Sequence, residues 1–260
     1  MKHFYCIVLT FILLIGNSRT ALADSMEEAV AAAEVAVAAA ETAVDAAIEA
    51  VATAKAAVAA MKAAATEKWI PLFDGESTVG WSIPIYGGDG EVDVQEGNLV
   101  IGRGEMMTGI RYEKEFPKIN YEIRYEARRT QGYDFFAACT FPVKESFCTL
   151  VNGGWGGGLT GLSSIDGYDA SDNSFSTHHD YRENAWYRFR IRVLDDKIQV
   201  WITDQDKEGN WGKEESVIEL ETEDRRLSTR LEMERYKPFA FCTWNAEGQL
   251  RKIEYRMIGQ

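Results

Sequence analysis

Hydrophobic and polar residues follow two different patterns along this chain of 260 residues, and the change comes near Trp69. Before Trp69, alanine dominates residues 26–68 and valine returns at every seventh position. Neither proline nor glycine interrupts this run, so the pattern predicts one α-helix of about 60 Å. The repeating valines are Val30, Val37, Val44, Val51 and Val58.

The seven-residue spacing gives the predicted helix one continuous apolar seam. Charged residues flank this seam, also at multiples of seven: Glu34, Glu41, Lys55 and Lys62. A strict heptad is typical of helices that supercoil around a partner, so it predicts a coiled coil and a homo-oligomer through residues 26–68. The acidic start and the basic end of the helix favour antiparallel pairing. A lone helical spacer, or a helix lying on its own domain, is the alternative.

From Trp69 onward, short segments that alternate apolar and polar residues replace the helical pattern. Turns rich in glycine and aspartate separate the segments, which indicates an antiparallel β-sandwich or barrel. The predicted strands are Glu91–Val94, Asn98–Gly102, Asn120–Ala127, Phe135–Phe141, Cys148–Val151, Trp186–Leu194, Lys197–Thr203, Ser216–Glu219, Phe239–Trp244 and Lys252–Met257. The segment at 186–194 alternates arginine with apolar residues, so we expect it to have one wet and one buried face.

The first 23 residues have the pattern of a signal peptide. A basic start at Lys2 precedes the short apolar core Ile7–Ile15, and Ala21–Ala23 supplies a small-x-small cleavage site. Cleavage there predicts a protein secreted, or exported to the periplasm or cell envelope, without a membrane span. An uncleaved anchor is the alternative. The predicted organisation is a signal peptide at 1–23, a helical stalk at 24–68 and one β domain at 69–260.

The net charge bears on the class of partner, and the cysteines bear on disulfide bonding. The formal net charge of −13 repels phosphate backbones, so it argues against a nucleic-acid partner. Export permits disulfides, and Cys139 and Cys148 flank a turn signal at Pro142–Glu145. If the flanking strands form a hairpin, the two cysteines lie nearly opposite and predict a disulfide, provided that their Cα atoms are close enough. The odd number of cysteines after processing leaves one free or intermolecular thiol.

Two motifs resemble a known family. The opening Trp69-Ile70-Pro71-Leu72-Phe73-Asp74-Gly75, followed by Gly80-Trp81, is similar to the W-x-x-L-F-D-G…G-W start of the bacterial exported 3-keto-disaccharide hydrolase domain. The run from Asn184 to Ile202 resembles the central strands of the same family. The resemblance spans residues 69–258 and implies a concanavalin A-like jelly roll whose ligand is a carbohydrate.

Two segments depart from the family pattern. Familiar members carry an Arg-Gly-Arg-Tyr-Glu-type segment before the mid-domain loop and a Gln-Asp-His-Gly-type segment near the last strands. In this chain the corresponding regions are Phe147–Asn152 and Cys242–Ala246, and the second contains no histidine. The late histidine of the family is therefore absent. The resemblance therefore implies either hydrolysis of a saccharide or lectin-like binding without cleavage. A structural role in envelope assembly is a third reading.

Tryptophans are the candidates for stacking on sugar rings. The tract Gly153–Gly158 lacks the lysine and serine or threonine of a phosphate-binding loop, and instead predicts a loop or bulge that presents Trp155. Trp81 and Trp244 are further substrate-binding candidates, together with Asp74 of the opening motif. Burial in the core is the alternative for each tryptophan, and turn formation is the alternative for Asp74.

A polar segment after the glycine tract supplies candidate chemistry. Asp166, Asp169 and Asp172 recur every third residue in an oxygen-rich loop, which suits Ca²⁺ as a cofactor, although turn capping is the alternative. The catalytic candidates are Asp166, Asp169, His178 and His179, as carboxylates or histidines for acid and base work. Adjacent histidines on a strand point to opposite faces, so at most one joins a given site. Solvated loop histidines are the alternative.

Overall fold

The computed structural model describes the backbone of residues 2–259 and the side chains of residues 22–58 and 68–259. It divides the chain into two compact units between Lys62 and Ala63. Most of the predicted signal peptide lies outside the residues whose side chains are described. Within the described residues, no helix combines the length and the apolar character that a membrane span requires.

Helix α1 (Lys2–Glu67) contains the alanine-rich run except for its last residue, Lys68, and so confirms a long helix there. Every side chain from Leu22 to Val58 is exposed. The hydroxyls of Thr42 and Thr53 donate to the carbonyl oxygens of Ala38 and Glu49, at 2.9 and 3.0 Å. These two polar side chains are thus accommodated along the helix without breaking it.

The second unit is mainly β and confirms the predicted fold class. Its strands among the described residues are β1 (Ile70–Pro71), β2 (Trp81–Ser82), β3 (Val92–Gln95), β4 (Asn98–Ile101), β5 (Met107–Tyr112), β6 (Tyr121–Gly132), β7 (Ala138–Val143), β8 (Ser146–Gly153), β9 (Leu159–Ser163), β10 (Ser176–His178), β11 (Tyr187–Val193), β12 (Lys197–Asp204), β13 (Glu215–Glu221), β14 (Phe239–Trp244) and β15 (Ala246–Met257). A 3-10 helix, Leu231–Tyr236, precedes β14. Each predicted strand overlaps an observed one.

The strands form two antiparallel sheets packed face to face as a sandwich. The eight-stranded sheet has the order β13-β12-β11-β6-β15-β4-β3, and β1 pairs with β15. The seven-stranded sheet has the order β10-β9-β8-β7-β14-β5-β2. Aromatic side chains join the two layers. For example, the ring of Tyr125 on β6 stacks on Phe189 and meets Phe241 of β14 edge-on, with centroids 5.1 and 4.7 Å apart.

Strand β11 has the two faces that its sequence predicts. Tyr187, Phe189, Ile191 and Val193 are buried, while the arginines between them are half-buried on the outer face. Side chains alternate along a strand, so a period of two fixes which residues enter the core. The arginines of β11 therefore lie on the outside of the eight-stranded sheet.

Two inaccessible carboxylates hold these arginines in place. Glu122 on β6 has no exposed surface, and it contacts Arg190, Arg192 and Arg256 at 2.8, 2.7 and 2.5 Å. Glu126, four residues further along β6, contacts three other basic side chains in the same way: Arg188, Arg251 and Lys252. Burial raises the pKa of Glu122, but the hydrogen bonds from its arginines outweigh burial and the pKa is lowered overall. Both carboxylates are thus held in their charged form.

The cysteines differ from the predicted arrangement. Strands β7 and β8 do form a hairpin, but it closes between Val143 and Ser146. This register pairs Cys139 with Leu150 and Cys148 with Phe141, so the two cysteines are not opposite each other. Cys139, Cys148 and Cys242 are all free and buried, which corrects the predicted disulfide. Burial raises the pKa of the Cys148 thiol to about 12.

Candidate functional site

A cavity of about 160 Å³ lies on the outer face of the seven-stranded sheet. Its floor is formed by Thr149 and Val151 of β8, by Ser163 of β9 and by Met107 of β5. In β8 the intervening residues Cys148 and Leu150 belong to the core, so the alternation of the strand turns Thr149 and Val151 outward. Met233 of the 3-10 helix lies at the edge of the same cavity.

Three aromatic side chains line the cavity. Trp244 lies on β14, and its ring centroid is 6.3 Å from that of Phe135. The backbone N–H of Trp244 also donates to the carbonyl oxygen of Phe135 at 2.9 Å, which fixes the two residues side by side. Trp155 is the third, and 44% of its surface is exposed. These three side chains thus contribute aromatic surface to the cavity.

Trp155 occupies a strained backbone conformation in the glycine-rich turn Gly154–Gly157. Its φ of 48° lies in the left-handed region, which costs a residue with a side chain about 1–2 kcal/mol. Gly156 and Gly157 follow with φ of 92° and 106°, values that glycine adopts readily. Such strain persists where a site requires it. The turn therefore holds a large aromatic side chain at the cavity mouth at a cost to stability.

Asp134 anchors this turn and also lines the cavity. Its Oδ1 accepts a hydrogen bond from the Phe135 N–H at 2.8 Å. Burial raises the pKa of Asp134, although hydrogen bonds from the N–H groups of Phe135, Gly156 and Trp155 oppose the rise. A partly buried carboxyl group with a raised pKa in a cavity is a candidate general acid or base.

Arg129 of β6 clamps the same region. Its Nη1 donates to the carbonyl oxygens of Gly157 and Asp134, at 3.2 and 3.3 Å, and its Nη2 donates to the carbonyl oxygen of Tyr181 at 3.1 Å. These bonds join the end of the glycine turn to the segment that carries Asp134. The positions of Trp155 and Asp134 are therefore coupled.

A charged cluster completes the rim. Arg230 and Glu232 line the cavity, and Arg230 Nη1 lies 2.5 Å from Oδ2 of Asp169. Arg230 Nε also lies 3.4 Å from Oε2 of Glu232. Asp169, a predicted catalytic residue, thus reaches the site through Arg230 and does not itself line the cavity. The rim offers groups that can donate and accept hydrogen bonds beside the aromatic rings.

The three predicted calcium ligands do not converge. Asp166 pairs with Arg225 at 2.8 Å and also accepts from the N–H of Arg226, whereas Asp172 accepts from the hydroxyl of Ser171. Asp169 faces Arg230, as described above. Among the described residues, no group of three His, Cys, Asp or Glu side chains is arranged to hold a metal ion. The three carboxylates therefore have different partners and do not form one calcium site.

Neither predicted histidine lines the cavity. His178 is exposed at the end of β10, and its ring lies against the backbone of Gly158. His179 Nε2 lies 2.9 Å from Oδ1 of Asp204. The ring of His179 also packs 4.6 Å from that of Tyr181. The two histidines have different surroundings, as their adjacency predicts.

The opening motif has a structural role. Trp81, predicted to bind substrate, is buried in the core, where its Nε1 donates to the carbonyl oxygen of Leu72 at 3.0 Å. This burial corrects the prediction for Trp81. Oδ1 of Asp74 accepts from the N–H groups of Glu76 and Ser77, both at 2.8 Å, so Asp74 caps a turn. Of the predicted substrate-binding residues, Trp155 and Trp244 are the two that line the cavity.

Four residues that line the cavity are not singled out by the sequence: Asp134, Phe135, Arg230 and Glu232. Phe135 begins a predicted strand and Asp134 precedes it, so a polar residue beside an aromatic one is the only signal that the sequence gives. Arg230 and Glu232 lie at the start of the 3-10 helix, and no motif marks them. Chain folding brings the two pairs together from positions about a hundred residues apart.

Several solved structures are similar to this chain. The carbohydrate binding module CBM66 from Bacillus subtilis matches with a TM-score of 0.41 and 10% identity, over 68% of this chain and 95% of that chain. The exoplasmic/lumenal domain of VIP36, in its Ca²⁺/Man3GlcNAc-bound form, matches with a TM-score of 0.49 and 10% identity, over 73% of this chain and 88% of that chain. Peanut lectin with a 9mer peptide matches with a TM-score of 0.45 and 8% identity, over 74% of this chain and 100% of that chain.

Sequence comparison is more informative about the family of this chain than structural similarity is. No curated protein sequence matches it. The sequence model of one family, described as the 3-keto-alpha-glucoside-1,2-lyase-like domain, matches residues 68–255 and so covers most of the chain and nearly all of the β-sandwich. This confirms the resemblance that the motifs around Trp69 and Trp81 indicate. The chain therefore belongs to the family of 3-keto-alpha-glucoside-1,2-lyase-like domains.

Proposed function

We propose that the β-sandwich binds a saccharide in the cavity on the outer face of its seven-stranded sheet. The observation that carries this proposal is the exposed Trp155, held in a strained turn beside Trp244 and Phe135. Sugars present apolar C–H faces and polar hydroxyl edges. Aromatic rings surrounded by the charged groups of Asp134, Arg230 and Glu232 are complementary to both.

We further propose that the bound saccharide is a 3-keto-α-glucoside and that the reaction is an elimination. The ketone at C3 of such a sugar acidifies the hydrogen at C2. A base takes that proton, the C2–H electron pair forms a C1–C2 double bond, and the C1–O bond breaks with its electrons leaving on the glycosidic oxygen, which takes up a proton as the alcohol departs. Later addition of water to the double bond makes the overall change a hydrolysis.

Asp134 is the candidate base for this step. It lies on the cavity wall, and burial raises its pKa, which makes its carboxylate a stronger base than an exposed aspartate. Asp169 lies behind Arg230 and is paired with it. Neither histidine reaches the cavity, so the geometry supports Asp134 over the other candidates.

Replacing Asp134 by asparagine tests this role. The amide oxygen can still accept the hydrogen bond from the Phe135 N–H, so we expect saccharide affinity to change only a few-fold. We expect turnover of a 3-keto-α-glucoside, followed by chromatography of the released sugar, to fall by about 10² or more. Asp169→Asn is the matched control, with a smaller effect. Undiminished turnover in Asp134→Asn would exclude the base, and equal loss of binding and turnover would assign it a positioning role.

A second candidate function is saccharide binding without turnover. The specific observation in its favour is that the late family histidine is replaced in the region Cys242–Ala246, while His178 and His179 lie away from the cavity. Calorimetric binding of a glycan by the parent protein, with no product from 3-keto-α-glucosides over many hours, would support this function over the lyase.

We propose that the protein acts after export, at the cell envelope or outside the cell. The support is the basic start, the short apolar core and the small-x-small site within residues 1–23. N-terminal sequencing of the protein from its native compartment tests this. The proposal predicts a chain that begins at Asp24, whereas a chain retaining residues 1–23 contradicts it.

A further inference from the structure

The valine seam of α1 is solvent-exposed along its length. The five valines at position a of the heptad are between 52% and 57% exposed. Such a continuous apolar stripe is costly in water unless another surface covers it. The d positions between the valines are alanines, whose small side chains let a second helix approach closely.

The charges beside this seam have an internal symmetry. In the heptad that begins at Val30, the e positions are Glu34, Glu41, Ile48, Lys55 and Lys62. Glu41 and Lys55 are equally far from Ile48 along the sequence, and so are Glu34 and Lys62. The order of charges therefore becomes complementary to itself when the helix is reversed about Ile48.

We infer that α1 pairs antiparallel with the α1 of a second copy of this chain, with the two-fold axis beside Ile48. In an antiparallel pair the e positions of one helix run along the e positions of the other. Glu41 then meets Lys55 of the partner subunit, and symmetry repeats the contact. The valines cover the partner's alanines, so both the apolar and the charged positions are matched.

A parallel pair does not use these charges. Its e positions face the g positions of the other helix, and in this heptad the g positions are alanines: Ala36, Ala43, Ala50 and Ala57. In a parallel, in-register pair the acidic segments also lie beside each other. The charge pattern therefore distinguishes the antiparallel partner from the parallel one.

A charge exchange tests the contact between Glu41 and Lys55 of the partner subunit. Glu41→Lys, or Lys55→Glu, places like charges together twice per dimer. We expect each to weaken self-association of the full chain by about tenfold in sedimentation equilibrium. The double variant Glu41→Lys/Lys55→Glu restores opposite charges and should recover the parent affinity. Glutamate and lysine have similar helix propensities, so circular dichroism should show equal helicity in all four proteins.

Spin labels test the orientation independently. In a Cys6→Ser background we expect a label at Val35→Cys to be about 40 Å from its partner's label, because the sites are 26 residues apart along the antiparallel axis. The described native cysteines are buried and should not be labelled. A label at Ile48→Cys is the control and should give a short distance in either orientation.

The outcomes separate the alternatives. A monomeric parent protein, a short distance at Val35→Cys or a double variant as weak as the single ones would each overturn the antiparallel pair. None of these results depends on saccharide binding, which resides in the β-sandwich. Failure of the pairing and failure of the proposed function are therefore distinguishable.

Discussion

Replacing Trp155 by glycine is expected to weaken saccharide binding strongly and to leave the β-sandwich at least as stable as the parent. Loss of a central aromatic contact costs about 2 kcal/mol of binding free energy, or roughly 30-fold in affinity. Glycine adopts a φ of 48° without the penalty that tryptophan incurs, so the free energy of unfolding should gain about 1 kcal/mol from this relief. Titration calorimetry and urea unfolding measure the two effects separately.

Two further variants at this position act as controls. Trp155→Phe retains an aromatic ring and should keep most of the affinity. Trp155→Ala should lose binding as glycine does, but it retains the strained conformation and should be less stable than the glycine variant by about 1 kcal/mol. Normal saccharide affinity in Trp155→Gly would remove Trp155 from the site and leave the cavity without its main aromatic contact.

Replacing Glu122 by glutamine is expected to give the largest loss of stability. Its carboxylate is inaccessible to solvent and is the shared partner of Arg190, Arg192 and Arg256. Removing one member of a buried ionic cluster leaves the others uncompensated, at a cost of about 3–5 kcal/mol in the free energy of unfolding. Glu145→Gln is the control, because its 2.6 Å pair with Lys118 is exposed and should contribute less than about 1 kcal/mol. Equal effects in urea unfolding would contradict the argument.

The same carboxylate makes stability depend on pH. Burial alone would raise the pKa of Glu122, but the hydrogen bonds and charges of Arg192 and Arg256 lower it below its unfolded value. A lowered folded pKa stabilises the protein above the unfolded pKa, and this contribution disappears as the pH falls through the folded pKa. The parent should therefore lose more stability on acidification than Glu122→Gln.

Among the predicted strands, β11 has the clearest apolar alternation. In β11, four apolar residues alternate with arginines, so one face must be buried and the period of two is clear. The sequence does not predict strands β5 and β9, because Gly109 and Gly161 interrupt their apolar patterns. A Cβ at Gly109 would lie 2.6 Å from the carbonyl oxygen of Phe241, so this glycine reflects close packing against β14 and not a turn.

The site was less predictable than the fold. Trp155 could be predicted because glycines on both sides indicate a loop that presents it. Trp81 and Trp244 are alike in the sequence, and only the pairing of their strands decides that one enters the core and the other faces the cavity. Asp134 and Arg230 meet through tertiary folding, which no local pattern encodes.

The buried cysteines make unfolding measurable by chemistry. Burial raises the pKa of the thiols of Cys139, Cys148 and Cys242, so the native state presents little thiolate to a reagent. Thiolate is the reactive form, and a reagent reaches a buried thiol only when the residues that cover it move away. The rate at which a thiol reagent modifies Cys139 and Cys148, which belong to the core between the sheets, should therefore report how often the two sheets separate. The buried thiols thus make rare opening of the native core measurable without a denaturant.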